Sequence, residues 1–525
     1  MKNINFQDIS SIPQLIKDFL NEEISDFQEQ KFNLKNIQNL INSKKETFSK
    51  EKRETLYSVL SEQLSGLQLS DLQKQNLEFL KDENTFTIVT GHQLNLFSGP
   101  AFFVYKILQT IKTTAFLKEN FPAQNFVPIF WLASEDHDFD EINHFKTEKH
   151  YYEIKGKSGG AVGRIKVEEQ FFIQQFSEEF KDTIFGTELI RWMNEAYAEG
   201  NTLAEATKIL VNRLFSDYGL LMIDGDNARL KSQMKSVFRD EILEQKLMRF
   251  SKNKVEFLRG HYSKVQVNPR EINLFYLSET RNRIEKKGNV YAVVDTTKIF
   301  SEEELLQELE LYPEKFSPNA LMRPVYQETI LPNLAYIGGN AEIMYWLELK
   351  DYFQEINLEF PVLIPRNSFL FISEKTEKKI QKLQLSVDDF FKNFAQVINQ
   401  SLLSETDLDT VISDNEEKLK RIFSELKTNA KKTDPTFLNL VNAEETRQLK
   451  AFQKMQKRLL RAERKKQSEK LQRMEQLFLD IHPAKNWQER VFNFSVFYAD
   501  YGKDWLQNCY KKLDVEKSEL IIIRI

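Results

Sequence analysis

Residues 131–141 run Trp-Leu-Ala-Ser-Glu-Asp-His-Asp-Phe-Asp-Glu, so Glu135, Asp136, Asp138, Asp140 and Glu141 crowd around His137. Carboxylates at that density repel one another unless a cation, a proton or a metal offsets them. The block follows Phe126–Leu132, an apolar run after Pro122 that predicts a buried strand. In open α/β sheets the carboxyl ends of strands are where ligands bind. Residues of these types there suit proton transfer, amine binding or metal ligation, which makes Asp136, His137 and Asp138 candidate catalytic residues and Glu135 and Asp140 candidate ligand contacts. The structural alternative is a helix start, where acids complement the dipole. It leaves the histidine unexplained. If 136–144 continue as a helix, His137, Asp140 or Glu141, and His144 share one face and could hold a metal or an oriented general base. The spacing matches no established zinc pattern.

Two further groups have the same character. The loop Thr90-Gly-His-Gln-Leu-Asn-Leu-Phe-Ser-Gly-Pro precedes a helix expected from Pro100 to about Lys118. Its glycines permit close backbone approach, and a helix start favours anions. His92, Gln93, Ser98, Gly99 and Lys106 are thus candidates for a phosphate or carboxylate, against the alternative of a tight strand–helix connection. The third group is Ser317–Glu328 with Tyr336–Trp346. Arg323, expected extended before Pro324, is a natural carboxylate clamp. Asn319, Gln327, Gly338, Gly339, Glu342 and Tyr345 complete that group, although Arg323 could equally pair with an internal acid. Gly156-Lys-Ser-Gly-Gly resembles the end of a P-loop, but Tyr151 stands where the leading glycine belongs. It also fits G-x-S-x-G, yet Ala161–Val167 reads as a strand where a nucleophile elbow needs a helix.

The elements that must position these residues alternate. A strand beginning at Thr85, a helix and the 126–132 strand make a βαβ unit with a parallel pair. Residues 1–80 read as helices. Expected helices at 187–216 and 227–249 flank the short strand Leu220–Asp224, and Val265–Val267 and Val290–Asp295 read as hairpin strands. Asn333–Gly339 and Pro361–Arg366 resume the strand character. Residues 405–480 are charged, glycine-free and divided by Pro435, a pattern of paired helices or a coiled coil. The last residues, Leu520–Ile525, return as a strand. This divides the chain at 1–150, 151–310 (an inserted α+β region), 311–400, 401–485 (helical hairpin) and 486–525.

Composition narrows the class. The 525 residues are 41% hydrophobic and 29% charged, ordinary for a soluble globular protein. A net charge of −5 argues against a general nucleic-acid binder. The single cysteine, Cys509, excludes an internal disulfide and fits a reducing cytoplasm. No apolar run approaches the ~20 residues needed to cross a bilayer, and the first residues lack the apolar core of a secretory signal. The expectation is a cytoplasmic protein with neither a nucleic-acid nor a membrane partner.

Taken in order, these motifs resemble the bacillithiol biosynthesis cysteine-adding enzymes, a family of cysteine ligases. The matching text is Thr90-Gly-His-Gln, Ser98-Gly-Pro, Lys106, Pro128–His144, Ser317-Pro-Asn, Arg323-Pro, Ala335-Tyr-Ile-Gly-Gly, Glu342-Ile, Tyr345-Trp and Pro365-Arg-Asn-Ser. Position 92 departs, since relatives also carry glutamine there. The resemblance implies an α/β, Rossmann-like nucleotidyltransferase-type core with inserted connecting-peptide domains and an α-helical coiled-coil domain that mediates homodimerisation. It also implies the joining of L-cysteine to glucosaminyl-malate. Because amide formation from a free carboxylate is unfavourable in water, ATP is the expected activator, with Mg²⁺ as its companion. The alternatives are a metal-dependent phosphate-ester enzyme and a nucleotide-binding coiled-coil assembly protein.

Overall fold

The computed structural model describes residues 2–168, 170–263 and 265–525. The chain divides into two compact units. One comprises Met1–Gln7, Ile12–Leu370 and Gln488–Ile522, and the other Asp8–Ser11, Phe371–Trp487 and Ile523–Ile525.

The larger unit is built on a parallel sheet of strands β1 (Thr85–His92), β2 (Asn125–Leu132), β3 (Leu221–Asp224), β4 (Asn333–Gly338) and β5 (Val362–Pro365), in the spatial order β5-β4-β1-β2-β3. Nearly every residue of these strands is buried, which is why they read as short continuous apolar runs rather than as alternating patterns. Helix α1 (Phe102–Asn120) joins β1 to β2, and the two strands pair in register from Thr85↔Asn125 to His92↔Leu132. Ile37 and Ile41 of the Leu34–Thr47 helix and Leu117 of α1 pack with Phe86, Ile88, Ala335 and Ile337 in one core. The N-terminal helices start at side-chain caps: Asn33 accepts from the Asn36 amide, Ser49 from Lys52, and Ser70 forms a capping box with Gln73.

The chain order reverses between β1 and β4. From β1 it moves to β2 and β3 on one side, then returns to β4 and β5 on the other. That reversal is a topological switch point, the place where open α/β sheets bind ligands at the strands' carboxyl ends. The Glu519–Arg524 strand pairs antiparallel with Ile4–Asn5. A second, antiparallel sheet runs Ile299–Ser301, Val290–Val293, Arg281–Lys287, Leu274–Leu277, Phe316–Pro318.

Several expectations give way locally. The 187–216 helix is two, Gly186–Ala196 and Leu203–Phe215, because Gly200 turns at φ +91° and Thr202 with Glu205 caps a new start. The 227–249 segment becomes Ala228–Ser232, Lys235–Glu244 and Lys246–Tyr262, broken at Gln245 with φ +55°. Leu221–Asp224, flanked by these helices, is the edge strand of the parallel sheet. Val265–Val267 forms no strand, and Ala161–Val167 contains a short 3₁₀ turn, Val162–Arg164. Among the described residues no helix is long and apolar enough to cross a membrane.

The smaller unit holds Leu408–Ala430 and Pro435–Lys466 as an antiparallel hairpin, followed by Ser468–Ile481. Pro435 occupies the first helical turn, where its missing N–H costs nothing, and the Asp434 side chain accepts from the Thr436 amide. Phe423, Ala430 and Val441 are buried between the two helices with Leu419 and Leu438. Lys427–Glu445 and Ser413–Gln456 contacts fix the register.

Candidate active site at the switch point

Lys106 lies in the second turn of α1 and is 1% exposed. Its Nζ donates to the Gly91 carbonyl at 2.5 Å and to Glu342 Oε2 at 2.6 Å, tying β1 to helix α3 (Asn340–Leu347). Tyr336 Oη, from β4, donates to Glu342 Oε1 at 2.6 Å, and the Gly339 amide donates to Oε2 at 2.8 Å. Burial raises the Glu342 carboxyl, but Lys106, Tyr336 and the Gly339 amide outweigh it and hold the group at about 2. The helix start at Gly338-Gly339 is therefore a carboxylate seat, and Glu342 itself sits in it.

Arg323 lies over this group, with its Cζ 5.4 Å from the Tyr336 ring centroid, 5.9 Å from Trp131 and 6.0 Å from Trp346. Its Nη1 donates to Gln327 Oε1 at 2.9 Å, whereas Nη2 is buried without a hydrogen-bond partner. A guanidinium N–H without an acceptor at a sheet switch point is chemically suited to a carboxylate, although here it is sealed from solvent beside Tyr345. Tyr345 lies close enough to Arg323 to interact with it.

The acidic block follows β2. Asp136 Oδ2 accepts from Gln93 Nε2 at 2.8 Å, and Oδ1 accepts from the His137 amide at 2.7 Å. Burial raises its pKa, but hydrogen bonds from the His137 amide and Gln93, with the Arg281 charge, reverse that effect and keep Asp136 well below the usual carboxylate range. Gln93 Nε2 also reaches Glu141 Oε2 at 2.8 Å, so one amide bridges two of the acids. Arg281 Nη1 lies 3.0 Å from His137 Nδ1. Glu135 pairs with the fully buried Lys231, whose Nζ also donates to the Glu314 carbonyl at 2.8 Å. Ser134 hydrogen-bonds Asp224 at the end of β3. The excess negative charge at this strand end is thus balanced by arginine and lysine from later in the chain.

The expected residues separate into groups. Lys106, Gly338, Gly339, Glu342, Tyr345 and Arg323 gather at the switch point, and Gln93, Asp136 and His137 form the neighbouring polar group. His92 is edged by Phe102 and Phe103 at 5.1 and 5.5 Å. Burial, then Lys106, lowers its pKa to about 3, so its ring is neutral. Its Nε2 has no partner. Ser98 and Gly99 do not form an open phosphate seat. Phe97, Ser98 and Gly99 all have positive φ, and Asn493 Nδ2 donates to the Phe97 and Gly99 carbonyls at 2.7 and 2.6 Å. The Ala101 amide at the start of α1 donates to the Phe492 carbonyl at 2.8 Å. Asn319 caps helix α2 (Met322–Ile330) through the Leu321 and Met322 amides, and Gln327 is fully buried beneath Arg323. Asp138 caps the short Phe139–Ile142 helix, and Asp140 is exposed on it.

Two local expectations are corrected. Arg323 is helical, not extended, because Pro324 falls in the first turn of α2, where a missing N–H is tolerated. The helix after Asp138 is only four residues long, because His144–Lys146 turns into a strand paired with Tyr151–Glu153. His144 therefore stacks on Tyr151 at 5.1 Å and leaves the face of His137. Among the described residues no group of three His, Cys, Asp or Glu side chains is placed to hold a metal. Arg281 and Lys231 escaped sequence reasoning. Arg281 opens a strongly charged segment, Arg281–Lys287, whose composition resembles a solvated surface.

Comparison with known proteins covers the whole chain. Residues 1–367 match the family model "Bacillithiol biosynthesis BshC, N-terminal Rossmann-like domain", and residues 369–525 match the BshC C-terminal coiled-coil domain. A relative from Flavobacterium johnsoniae, described as "Putative cysteine ligase BshC", is 40% identical over 99% of both chains. Relatives of the same description from Christiangramia forsetii and Bacillus cereus are 38% identical over 99% of this chain and 98% of theirs, and 27% identical over 88% of each. Matched from end to end by both family models, with the Rossmann-like sheet and the helical hairpin each in its expected place, the chain belongs to the BshC family of bacillithiol biosynthesis.

Proposed function

We propose that this protein is a cysteine ligase that joins the carboxyl of L-cysteine to the glucosamine amine of glucosaminyl-malate, with ATP activating the carboxyl. The observation that carries the reading is the full-length likeness to relatives described as cysteine ligases. The site is chemically suited to it. In the proposed step the amine nitrogen forms the amide bond and loses a proton, and one cysteine carboxyl oxygen departs with the phosphoryl or adenylyl group. The Arg323 guanidinium, set among Trp131, Tyr336 and Trp346, is matched to a carboxylate such as those of malate. Asp136, kept ionised, is matched to binding the substrate amine in its cationic form, which releases one proton to solvent before attack and the second as the amide bond forms.

The Gly91–Pro100 loop does not supply a phosphate seat, because the Phe97 amide is taken by Tyr197 Oη and the Ser98 and Gly99 amides by the Asn95 and Leu96 carbonyls. Dimerisation through the hairpin is proposed from its outward apolar side chains, with Leu408, Val411, Ile422, Leu440 and Met455 all exposed. The purified protein incubated with cysteine, glucosaminyl-malate and ATP should yield the cysteinyl amide by mass spectrometry. No product under any nucleotide condition contradicts the proposal.

A further inference from the structure

Arg281 is 9% exposed, and all three of its nitrogens are engaged. Nε donates to Ser317 Oγ at 2.8 Å, Nη2 to the Pro318 carbonyl at 2.7 Å, and Nη1 meets His137 Nδ1 at 3.0 Å. The Phe275 ring lies 4.1 Å from its Cζ. A guanidinium donates and cannot accept, and it stays protonated. His137 Nδ1 must therefore be the acceptor, which leaves the ring proton on Nε2. Asp136 Oδ1 faces the same Nδ1 from 3.6 Å, beyond hydrogen-bond reach.

The glycine-rich turn after Gly156 fixes the same residue from its backbone. The Gly159 amide and Ser158 Oγ donate to the His137 carbonyl at 3.2 and 3.3 Å, and the Arg281 amide donates to the Gly159 carbonyl at 2.8 Å. A Cβ on Gly160 would lie 2.6 Å from the Glu279 carbonyl oxygen, so the glycine turn can approach the connection between the Leu274–Leu277 and Arg281–Lys287 strands only as glycine. The ring stays 40% exposed, and Nε2 makes no hydrogen bond within the described chain.

We propose that Arg281 is a positioning residue that holds His137 as its Nε2–H tautomer, so that the ring offers substrate a hydrogen-bond donor and not a base. The identity of the acceptor rests on the cysteine-ligase reading: the carboxyl-derived oxygen of cysteine, on which negative charge grows as the amine attacks. The proton remains on Nε2 throughout, and no bond to the histidine forms.

Long-range ¹H–¹⁵N correlation spectra of the histidine-labelled full-length protein test this without substrate, with His137→Gln assigning the signal. The expected wild-type pattern at neutral pH is a ring protonated at Nε2 only, kept in Arg281→Lys and lost in Arg281→Met. In the ligation assay, Arg281→Met should lower kcat about tenfold or more with a smaller change in KM, and Arg281→Lys should recover part of it. A wild-type ring protonated at Nδ1, or at both nitrogens, overturns the proposal, and that measurement stands even if Arg281→Met does not fold. An unchanged tautomer in folded Arg281→Met also overturns it. An Nε2–H ring in a protein that makes no amide supports the assignment while refuting the ligase reading.

Discussion

Replacing Lys106 with methionine isolates the electrostatics of the switch point. The side chain volume is nearly kept, while Glu342 loses the donor at 2.6 Å and the Gly91 carbonyl loses the one at 2.5 Å. Removing one partner of a buried pair costs roughly 3–5 kcal/mol. Glu342 keeps Tyr336 and the Gly339 amide and is 27% exposed at its side chain, so a cost just below that range, about 2–3 kcal/mol, is expected. For a unit this large that corresponds to a fall in Tm of roughly 4–6 °C, at about 2 °C per kcal/mol.

Both partners are shifted down, which disfavours the charged form of Lys106 and favours that of Glu342. Burial draws the Lys106 ammonium below the ordinary lysine value, whereas Glu342 is held at about 2. The Glu342 direction describes the pair, because three donors converge on that carboxylate. Its folded-state pKa lies below its ordinary value of 4.5, so its contribution is fully present above 4.5 and is lost as the pH falls towards 2. The Tm deficit of Lys106→Met should accordingly be constant near neutrality and narrow below pH 4.5. Adding Glu342→Gln should restore part of the loss, since a matched neutral pair leaves no bare charge. A single-variant cost below about 1 kcal/mol, or strictly additive losses in the double variant, would refute the reasoning.

Arg323→Met should weaken binding of the malate-bearing substrate about 10- to 100-fold by calorimetry, the worth of a hydrogen bond to a charged group; unchanged affinity would remove Arg323 from the ligand site. Gly99→Ala should destabilise by roughly 1–3 kcal/mol, because φ is +63° and the new Cβ would lie 2.7 Å from Asn95 Cβ; a melt matching wild type contradicts this. Glu489→Gln removes the charge opposite Arg366 at 2.7 Å, in a pair whose side chains are 0% and 4% exposed, and should cost roughly 3–5 kcal/mol in denaturant unfolding.

The parallel strands and the helical hairpin were legible because their signals are local. Buried parallel strands are short apolar runs bounded by proline and glycine, and Pro435 behind Asp434 marks a helix start on its own. Lys106, Glu342 and Arg323 were legible as chemistry, since charge beside glycine and proline is conspicuous. What escaped was who meets whom. Arg281 lies 144 residues from His137, and Asn493 lies 396 from Phe97, so neither the histidine's partner nor the sealing of the Gly91–Pro100 loop leaves a local trace. The Arg323 backbone was misread for a different reason. A proline biases its predecessor away from helix, but in a first helical turn that bias is overruled.

The claim at the centre of the account is ATP-driven formation of an amide between cysteine and glucosaminyl-malate. Cysteine labelled with ¹⁸O in its carboxyl group tests it most directly. One labelled oxygen should be retained in the amide product and the other should appear in phosphate or AMP, in equal amounts. Amide formed with no label in the nucleotide products, or no amide at all, would contradict it.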